Sequence, residues 1–249
     1  MFKKRQTSVD EQLSEPQHPQ LSDGIYLQAV SASRGQHCVL RDIDLHFKEN
    51  KIGLIGDNGS GKSTLARLLN GLVVADKGLI SVYGFDAARQ AKILPALVGF
   101  IFQNPDHQII FPTVIEELSF GLEQLGHSAP QASQQALSVL TEHKIQDWRD
   151  LPVQHLSEGQ KQLLCILAVL VMQPRMVVLD EPFSALDLPT RQQMMQVLDK
   201  FETQIVMISH DLSVFSGFDR IICLDQGVVV DDGEPAAVIA NYQQRHQSK

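Results

Sequence analysis

Hydrophobic and polar residues alternate with a period of two over the first patterned part of the chain. The alternation begins at residues 25–27 and continues through residues 39–47. Because successive side chains of a β-strand point to opposite faces, this pattern predicts antiparallel strands with one face in solvent. A short strand is predicted over residues 51–55, and a further pair of strands around residues 79–83 and 98–102.

The spacing of apolar residues becomes helical in the middle of the chain. From Pro112 to about Met172, apolar side chains recur every three or four residues, which predicts helices. Short apolar runs then return at residues 176–179, 205–208, 221–224 and 228–230, with a predicted helix at 189–201. Strands that alternate with helices favour parallel pairing, so the predicted fold class is α/β.

The two ends of the chain lack this pattern. Residues 1–24 are rich in Gln, Ser, Pro, Glu and His and contain few large apolar side chains. A segment of this composition buries too little apolar surface to fold alone, so we predict a mobile N-terminal tail. Residues 242–249 are predicted as a short C-terminal tail, which leaves residues 25–241 as the folded part.

Charge and hydropathy exclude two classes of protein. The 249 residues include 29 acidic and 21 basic side chains, a formal net charge of −8, which disfavours a nucleic-acid partner held mainly by electrostatics. The longest uninterrupted apolar run, from Leu163 to Met172, has ten residues. A helix needs about 20 apolar residues to cross a bilayer, so no membrane span is predicted.

A glycine-rich segment follows the strand predicted at residues 51–55. It fits the pattern G-x-x-x-x-G-K-[ST] and consists of Gly56, Asp57, Asn58, Gly59, Ser60, Gly61, Lys62 and Ser63, with Thr64 in the helix that follows. Glycines let backbone N–H groups turn inward around phosphate oxygens, and the helix N-terminus adds positive charge. In this pattern Lys62 reaches the β- and γ-phosphates, and Ser63 offers its hydroxyl to Mg²⁺. The strand before and the helix after disfavour the alternative of an ordinary glycine turn.

Two acids end the apolar run at residues 176–179. Asp180 stands at the end of the predicted strand and can bind Mg²⁺, directly or through water. Glu181 follows and can polarise a water molecule in line with a γ-phosphate. Two acids at a strand end are commonly a solvated edge, but the presence of a phosphate loop favours the catalytic interpretation.

The segment Leu156-Ser157-Glu158-Gly159-Gln160 resembles the LSGGQ signature of the ATP-binding-cassette (ABC) ATPases. The same letters, S-x-x-Q, also fit an ordinary helix capping box. Other motifs of that family follow in order, so the resemblance covers about residues 25–240. Gln103 matches the Q-loop, Asp187 the D-loop and His210 the switch histidine.

This resemblance implies a P-loop NTPase (RecA-like) core with an antiparallel β subdomain, together residues 25–103 and 174–241, and an inserted α-helical subdomain, residues 104–173. It implies ATP and Mg²⁺ as cofactors, with Ser63, Gln103 and Asp180 on the metal and Glu181, His210 and Lys62 as catalytic residues. It also implies a head-to-tail homodimer or heterodimer. In such a dimer Ser157, Gly159 and Gln160 of one subunit close over ATP held by the other, and Asp187 orders the interface.

Two positions depart from the family pattern. Arg34 stands where an adenine-stacking aromatic residue is usual, and a guanidinium plane can also stack on a base. Glu158 replaces the second glycine of the signature and adds a charge near the partner's nucleotide. We predict that the Glu158 side chain points outward, because a carboxylate that faced a γ-phosphate would be repelled.

Residues 103–109 and 116–122 resemble the energy-coupling-factor importers for vitamins and transition metals. There the segment after the Q-loop, here about Pro112 to Gly126, lines a groove for a multispanning membrane subunit. The resemblance implies an ATPase at the cytoplasmic face of the membrane, with Glu116 and Glu117 as candidate partners for arginines. It favours biotin as cargo over cobalt or nickel. A soluble ABC ATPase outside transport and a non-hydrolysing clamp are the alternatives.

Overall fold

Two β-sheets organise the structure, a computed structural model that describes residues 16–247. The strands are β1 (Ile25–Arg34), β2 (His37–Phe47), β3 (Lys51–Gly56), β4 (Lys77–Val82), β5 (Phe85–Asp86), β6 (Val98–Ile101), β7 (Met176–Asp180), β8 (Gln204–Ile208), β9 (Arg220–Asp225) and β10 (Val228–Gly233). One sheet is antiparallel with the order β2-β1-β4-β5, and the other has the order β10-β9-β3-β8-β7-β6.

Seven α-helices accompany the two sheets in residues 16–247, and three of them follow one another in the middle of the chain. They are α1 (Lys62–Leu69), α2 (Leu94–Leu97), α3 (Val114–Gln124), α4 (Ala129–Glu142), α5 (Glu158–Leu170), α6 (Leu188–Leu198) and α7 (Pro235–Gln247). Ser128 and Ser157 begin α4 and α5 with capping boxes, in which the residue three positions later returns its side chain to the cap. The helical spacing predicted between Pro112 and Met172 is confirmed.

The six-stranded sheet separates two hydrophobic clusters. Along β7, Val177 and Leu179 belong to the cluster that contains α3 to α6, whereas Met176 and Val178 face the cluster that contains α1 and the antiparallel sheet. Both faces of this strand are therefore covered, which is why its sequence is a continuous apolar run rather than an alternating one. The predicted α/β class is confirmed, with parallel pairing among β9, β3, β8, β7 and β6.

One predicted strand pairing is wrong. The strands expected around 79–83 and 98–102 do form, but β4 pairs with β1 and β5, whereas β6 pairs with β7 in the other sheet. All four residues of β6 are buried. Gly99 lets α5 lie close to it, because a Cβ there would be 2.2 Å from Cγ1 of Val169. A short strand buried on both faces carries no period from which its partner can be read.

The chain ends differ in part from the expected tails. Residues 1–15 of the predicted N-terminal tail lie outside the described residues, but the His18 N–H donates a 2.9 Å hydrogen bond to the Gly84 carbonyl. At the other end, α7 continues to Gln247, so the predicted boundary at residue 241 falls within a helix. The division into subdomains stays a prediction. Across residues 16–247, every helix is too short or too polar to span a membrane.

Arg220, at the start of β9, joins the two sheets. Its guanidinium donates to both carboxylate oxygens of Asp232 at 2.6 Å, to the His46 carbonyl at 2.6 Å and to Glu49 Oε2 at 3.0 Å. Asp232 is on β10 and His46 is the penultimate residue of β2, so one side chain connects both sheets at this edge. The planar fork of arginine matches these acceptors and a lysine ammonium does not.

We expect Arg220→Lys to lower the free energy of unfolding by about 1–3 kcal/mol, because it loses the bidentate pair while keeping the charge. Urea denaturation measures this change. Arg89→Lys is the matched control. The Arg89 side chain is 75% exposed and its Nε lies 3.8 Å from Asp86 Oδ2, so the substitution should change the free energy of unfolding by no more than about 0.5 kcal/mol. Equal effects of the two substitutions would contradict the role given to Arg220.

Candidate nucleotide-binding site

The site lies where three parallel strands end at the same edge of the sheet. β3 leads into the glycine-rich loop, β7 ends at Asp180, and β8 ends at Ile208, which pairs with both Leu54 and Asp180. A cleft of about 710 Å³ opens there. The predicted site residues that line it are Arg34, Asn58, Gly59, Gly61, Lys62, Ser63, Thr64, Gln103, Asp180, Glu181 and His210.

Two glycines of the loop are required by its backbone path. Gly56 has φ +144°, and a Cβ there would lie 2.1 Å from the Leu224 carbonyl oxygen. Gly61 has φ +105° and lies directly before the first residue of α1, with Leu40 Cδ2 2.7 Å from the place of a Cβ. The loop thus turns tightly between β3 and the positive end of α1, which is an arrangement suited to phosphate oxygens.

Lys62 is the buried cation of this loop. Its Nζ donates to the main-chain oxygens of Gly56, at 2.7 Å, and Asp57, at 2.9 Å. Burial lowers the pKa of Lys62, while the nearby carboxylates of Glu181 and Asp180 oppose that shift. The ammonium is therefore held at the loop by carbonyl groups, which a phosphate oxygen can replace as its acceptors.

Ser63 and Asp180 place a hydroxyl oxygen and a carboxylate oxygen side by side, both of them candidate ligands for a divalent cation. The Ser63 hydroxyl donates to Asp180 Oδ1 at 3.0 Å, and Asp180 is 7% exposed. Burial raises the pKa of Asp180, and the Ser63 hydrogen bond and Arg67 oppose that change. Within residues 16–247 no three His, Cys, Asp or Glu side chains come together as a metal cage. This donor set fits Mg²⁺, which commonly uses one or two protein oxygens together with phosphate oxygens and water.

Glu181 and His210 face each other beside the cleft. Glu181 Oε1 lies 3.5 Å from His210 Nε2, and the Glu181 N–H donates to the Ile208 carbonyl at 3.1 Å. Glu181 has φ +53°, an unfavourable conformation for a residue with a side chain, which the surrounding strands hold in place. Burial raises the pKa of Glu181, opposed by His210. A carboxylate with a raised pKa next to a phosphate site can accept a proton from water.

Gln103 reaches across the cleft edge, where its Nε2 donates to Ser184 Oγ at 3.3 Å. The residues after it are tied to the signature helix α5: Lys161 Nζ lies 2.7 Å from Asp106 Oδ1. Asp106 belongs to a 3₁₀-helix over Pro105–His107. Gln103 therefore contacts the segment after β7, and the residues that follow it are joined to α5.

The signature residues lie away from the cleft of their own chain. Ser157, Gly159, Gln160 and Asp187 do not line it, and neither do Gly56, Asp57 and Ser60, although these three belong to the glycine-rich loop. The capping box predicted as the alternative for Ser157 is present, since Ser157 Oγ accepts from the Gln160 N–H at 3.3 Å. Asp187 caps α6 in the same way, through the Thr190 N–H at 2.9 Å. Glu158 is exposed in the first turn of α5.

Two residues near the site were missed by the sequence interpretation. Arg191 lines the cleft and forms an ion pair with Asp211, the neighbour of His210. Its only signal was its place four residues after Asp187, one helical turn away. Tyr242, placed in the predicted C-terminal tail, donates from Oη to Asp57 Oδ1 at 3.2 Å, and no sequence signal pointed to it.

Glu116 and Glu117 have different surroundings. Glu117 is 8% exposed, and its Oε2 accepts the N–H groups of Ile110 and Phe111 at 2.9 and 2.8 Å. This side chain orders the loop before α3 from inside, so the prediction that it meets a partner arginine is wrong. Glu116 is exposed and hydrogen-bonded to the Thr113 hydroxyl, and its pairing with a partner arginine stays a prediction.

Comparisons with known proteins agree on one family. A family model described as ABC transporter matches residues 40–184. The biotin transport ATP-binding protein BioM of Rhodobacter capsulatus is 43% identical over 213 residues, which cover 86% of this chain and 91% of the relative. The energy-coupling factor transporter ATP-binding protein EcfA1 of Ligilactobacillus salivarius is 33% identical, covering 88% and 81%.

Among solved structures, CbiO1 from Clostridium perfringens superposes with a TM-score of 0.78 at 25% identity, covering 91% of this chain and 94% of that one. It is described as part of the ABC transporter complex CbiONQ. The fold described above is therefore the fold of a known ABC ATPase.

We expect Arg191→Met to weaken binding of a fluorescent ATP analogue about three- to tenfold, because Asp211 is then an unpaired anion at the wall of a phosphate cleft. The loss should shrink when ionic strength rises from 0.05 to about 0.5 M, which screens charges over a few ångströms. Arg191→Met combined with Asp211→Asn should recover most of the affinity. A loss that is unchanged by salt and by the second substitution would show that Arg191 acts through packing.

Proposed function

Because this chain belongs to the ABC transporter ATPases, we propose that it is the ATP-hydrolysing subunit of an energy-coupling-factor importer. The observation that carries the proposal is the convergence of Lys62, the Ser63–Asp180 pair and the Glu181–His210 pair on one cleft. A cation, a metal-binding pair and a general base are the parts that phosphoryl transfer to water requires.

In the proposed mechanism the loop N–H groups and the N-terminus of α1 hold the phosphates of ATP. Lys62 Nζ exchanges its bonds to the Gly56 and Asp57 carbonyls for bonds to phosphate oxygens. Ser63, Asp180 and Gln103 would hold Mg²⁺, which supplies neutralisation of the phosphate charge when bound. Glu181 accepts a proton from the attacking water, and His210 orients the γ-phosphate. Arg34 lies at the same cleft and stacks on the base.

Two copies of the cassette complete the proposed machine. Ser157 and Asp187 are exposed, and neither lines the cleft of its own chain. In a head-to-tail homodimer, or a heterodimer with a similar chain, Ser157, Gly159 and Gln160 contact the nucleotide of the other subunit. Leu188, 60% exposed beside Asp187, is then covered by the partner.

The proposed membrane partner docks near α3. Ile110, four residues before that helix, is 71% exposed, and Glu116 offers an exposed carboxylate in the first turn of α3. An apolar side chain beside an acidic one suits a basic amphipathic segment of a multispanning subunit. We propose that the chain works on the cytoplasmic face of the membrane as a peripheral subunit.

We propose biotin as the cargo, which is supported by the name of the relative from Rhodobacter capsulatus. Cobalt or nickel is the second candidate, supported by the resemblance of residues 103–109 and 116–122 to importers for vitamins and transition metals. Cargo contacts the membrane subunits of such importers, so the choice between these candidates depends on the partner.

We expect Glu181→Gln to lower the rate of ATP hydrolysis at least about 100-fold, because an amide cannot accept the proton of the attacking water. Binding of the ATP analogue should stay within about threefold of the wild type, since the phosphate loop is unchanged. Phosphate release measures the first quantity and fluorescence titration the second. Hydrolysis within twofold of the wild-type rate would contradict the role of Glu181 and favour a non-hydrolysing clamp.

We expect a tagged chain, extracted from membranes in detergent, to co-purify with a multispanning protein. Mass spectrometry or metal analysis should then identify the ligand of that protein as biotin or a divalent metal. Glu116→Lys should reduce the recovered partner about tenfold if this carboxylate pairs with an arginine. Glu142→Lys, an exposed charge reversal on α4, is the control and should recover as much partner as wild type. Co-purification with ribosomes or DNA instead would favour the soluble ABC ATPase.

A further inference from the structure

The last helix of the structure is fixed firmly against the core. Val238 of α7 is 2% exposed and belongs to the main hydrophobic cluster. Asn241 Nδ2 and an Arg245 guanidinium nitrogen each lie 2.9 Å from Asp231 Oδ2 on β10. Tyr242 stands four residues after Val238, so it lies on the same inward face of the helix. The position of α7 is thus set by the burial of Val238 and by the polar contacts of Asn241 and Arg245 with Asp231.

Tyr242 reaches the phosphate loop from this anchored helix. Its Oη donates to Asp57 Oδ1 at 3.2 Å, across 185 residues of sequence. Asp57 is the second residue of the glycine-rich loop, and its carbonyl accepts the 2.9 Å hydrogen bond from Lys62 Nζ. Asn58 lines the cleft, whereas Asp57 does not. The Asp57 side chain is therefore directed to α7 while its main chain belongs to the loop.

The charge of Asp57 makes this direction matter. A carboxylate in a loop that receives a polyphosphate would repel the ligand if it turned into the cleft. Among the residues that the structure describes, Lys62 on the loop side interacts electrostatically with Asp57, and Asp225 on the helix side interacts electrostatically with Tyr242. Burial, followed by the Asp57 charge, raises the pKa of Tyr242 to about 12, so the phenol keeps its proton at neutral pH and remains a donor.

We propose that Tyr242 is a positioning residue for ATP binding, which holds the Asp57 carboxylate against α7 and outside the cleft. Through Asp57 it also steadies the carbonyl that accepts from Lys62. The inference rests on the proposed use of this loop for the phosphates of ATP. It gives α7 a part in nucleotide binding that goes beyond packing.

The test is a double-mutant cycle on the full chain. Tyr242→Phe removes only the hydroxyl and should raise KM for ATP and the Kd of the ATP analogue about three- to tenfold, with kcat within twofold of the wild type. The increase should shrink at about 0.5 M salt, because it comes from charge repulsion. In an Asp57→Asn background, Tyr242→Phe should change Kd less than twofold, since no carboxylate is left to hold.

Tyr26→Phe is the matched control. Tyr26 also donates to an aspartate, Asp23 Oδ1 at 2.6 Å, but on β1 and outside the cleft, so its KM and Kd should equal those of wild type. A Tyr242→Phe variant with wild-type Kd would overturn the inference, as would an equal loss in the Asp57→Asn background, which indicates a packing role. Lys62→Ala separates a failure of this inference from a failure of the proposed function. If Tyr242→Phe and Lys62→Ala both leave Kd unchanged, the proposed phosphate site is wrong. If Tyr242→Phe leaves Kd unchanged but Lys62→Ala abolishes binding, only the role of Tyr242 fails.

Discussion

Parallel strands end at a common edge, and the site depends on this constraint more than on any single side chain. Hydrogen bonds between β3, β8 and β7 fix Leu54, Ile208 and Asp180 in one row. The residues that follow these three strands therefore lie close together at the same edge of the sheet. They do so although more than 100 residues separate the glycine-rich loop from the acids in sequence. The apolar runs of these strands bury both faces of the sheet, so the core that stabilises the fold also sets the distances of the chemistry.

Burial at this edge prepares the charged groups as well as placing them. Desolvation raises the pKa of Asp180 and Glu181 and lowers that of Lys62. These shifts disfavour the charged form of every group. Lys62 and the two carboxylates stabilise one another by their opposite signs, whereas Asp180 and Glu181 repel each other. A polyphosphate and its cation add charges of both signs to the same place. The site is therefore arranged for a ligand that carries both a negative polyphosphate and a positive metal ion. The desolvation cost of the site's own charges is partly offset by the attraction between its opposite charges.

The sequence predicted what depends on local pattern and left out what depends on side-chain direction. The loop from Gly56 to Ser63 and most strands and helices carry their own periods and spacings, so their places were predicted. The last helix, α7, was missed, and its end was predicted as a tail. β6 was paired wrongly because a strand buried on both faces has no period. Glu117 looked like a surface acid, but it caps two N–H groups from within. Arg191 and Tyr242 were missed because each acts through a residue that is distant in sequence, Asp211 or Asp57, and no spacing rule records such a contact.

The signature segment shows that two interpretations of one motif need not compete. The capping bond of Ser157 uses the hydroxyl oxygen as an acceptor, and a hydroxyl that accepts still has its own hydrogen to donate. The cap satisfies one of the first N–H groups of α5, and the positive end of the helix remains directed outward. Gly159 keeps α5 close to the start of α6, because a Cβ there would contact Thr190 Cγ2 at 3.0 Å. Contacts within the subunit thus fix the positions of Ser157 and Asp187 relative to each other. Binding to a nucleotide phosphate held by a second subunit would require this preorganisation.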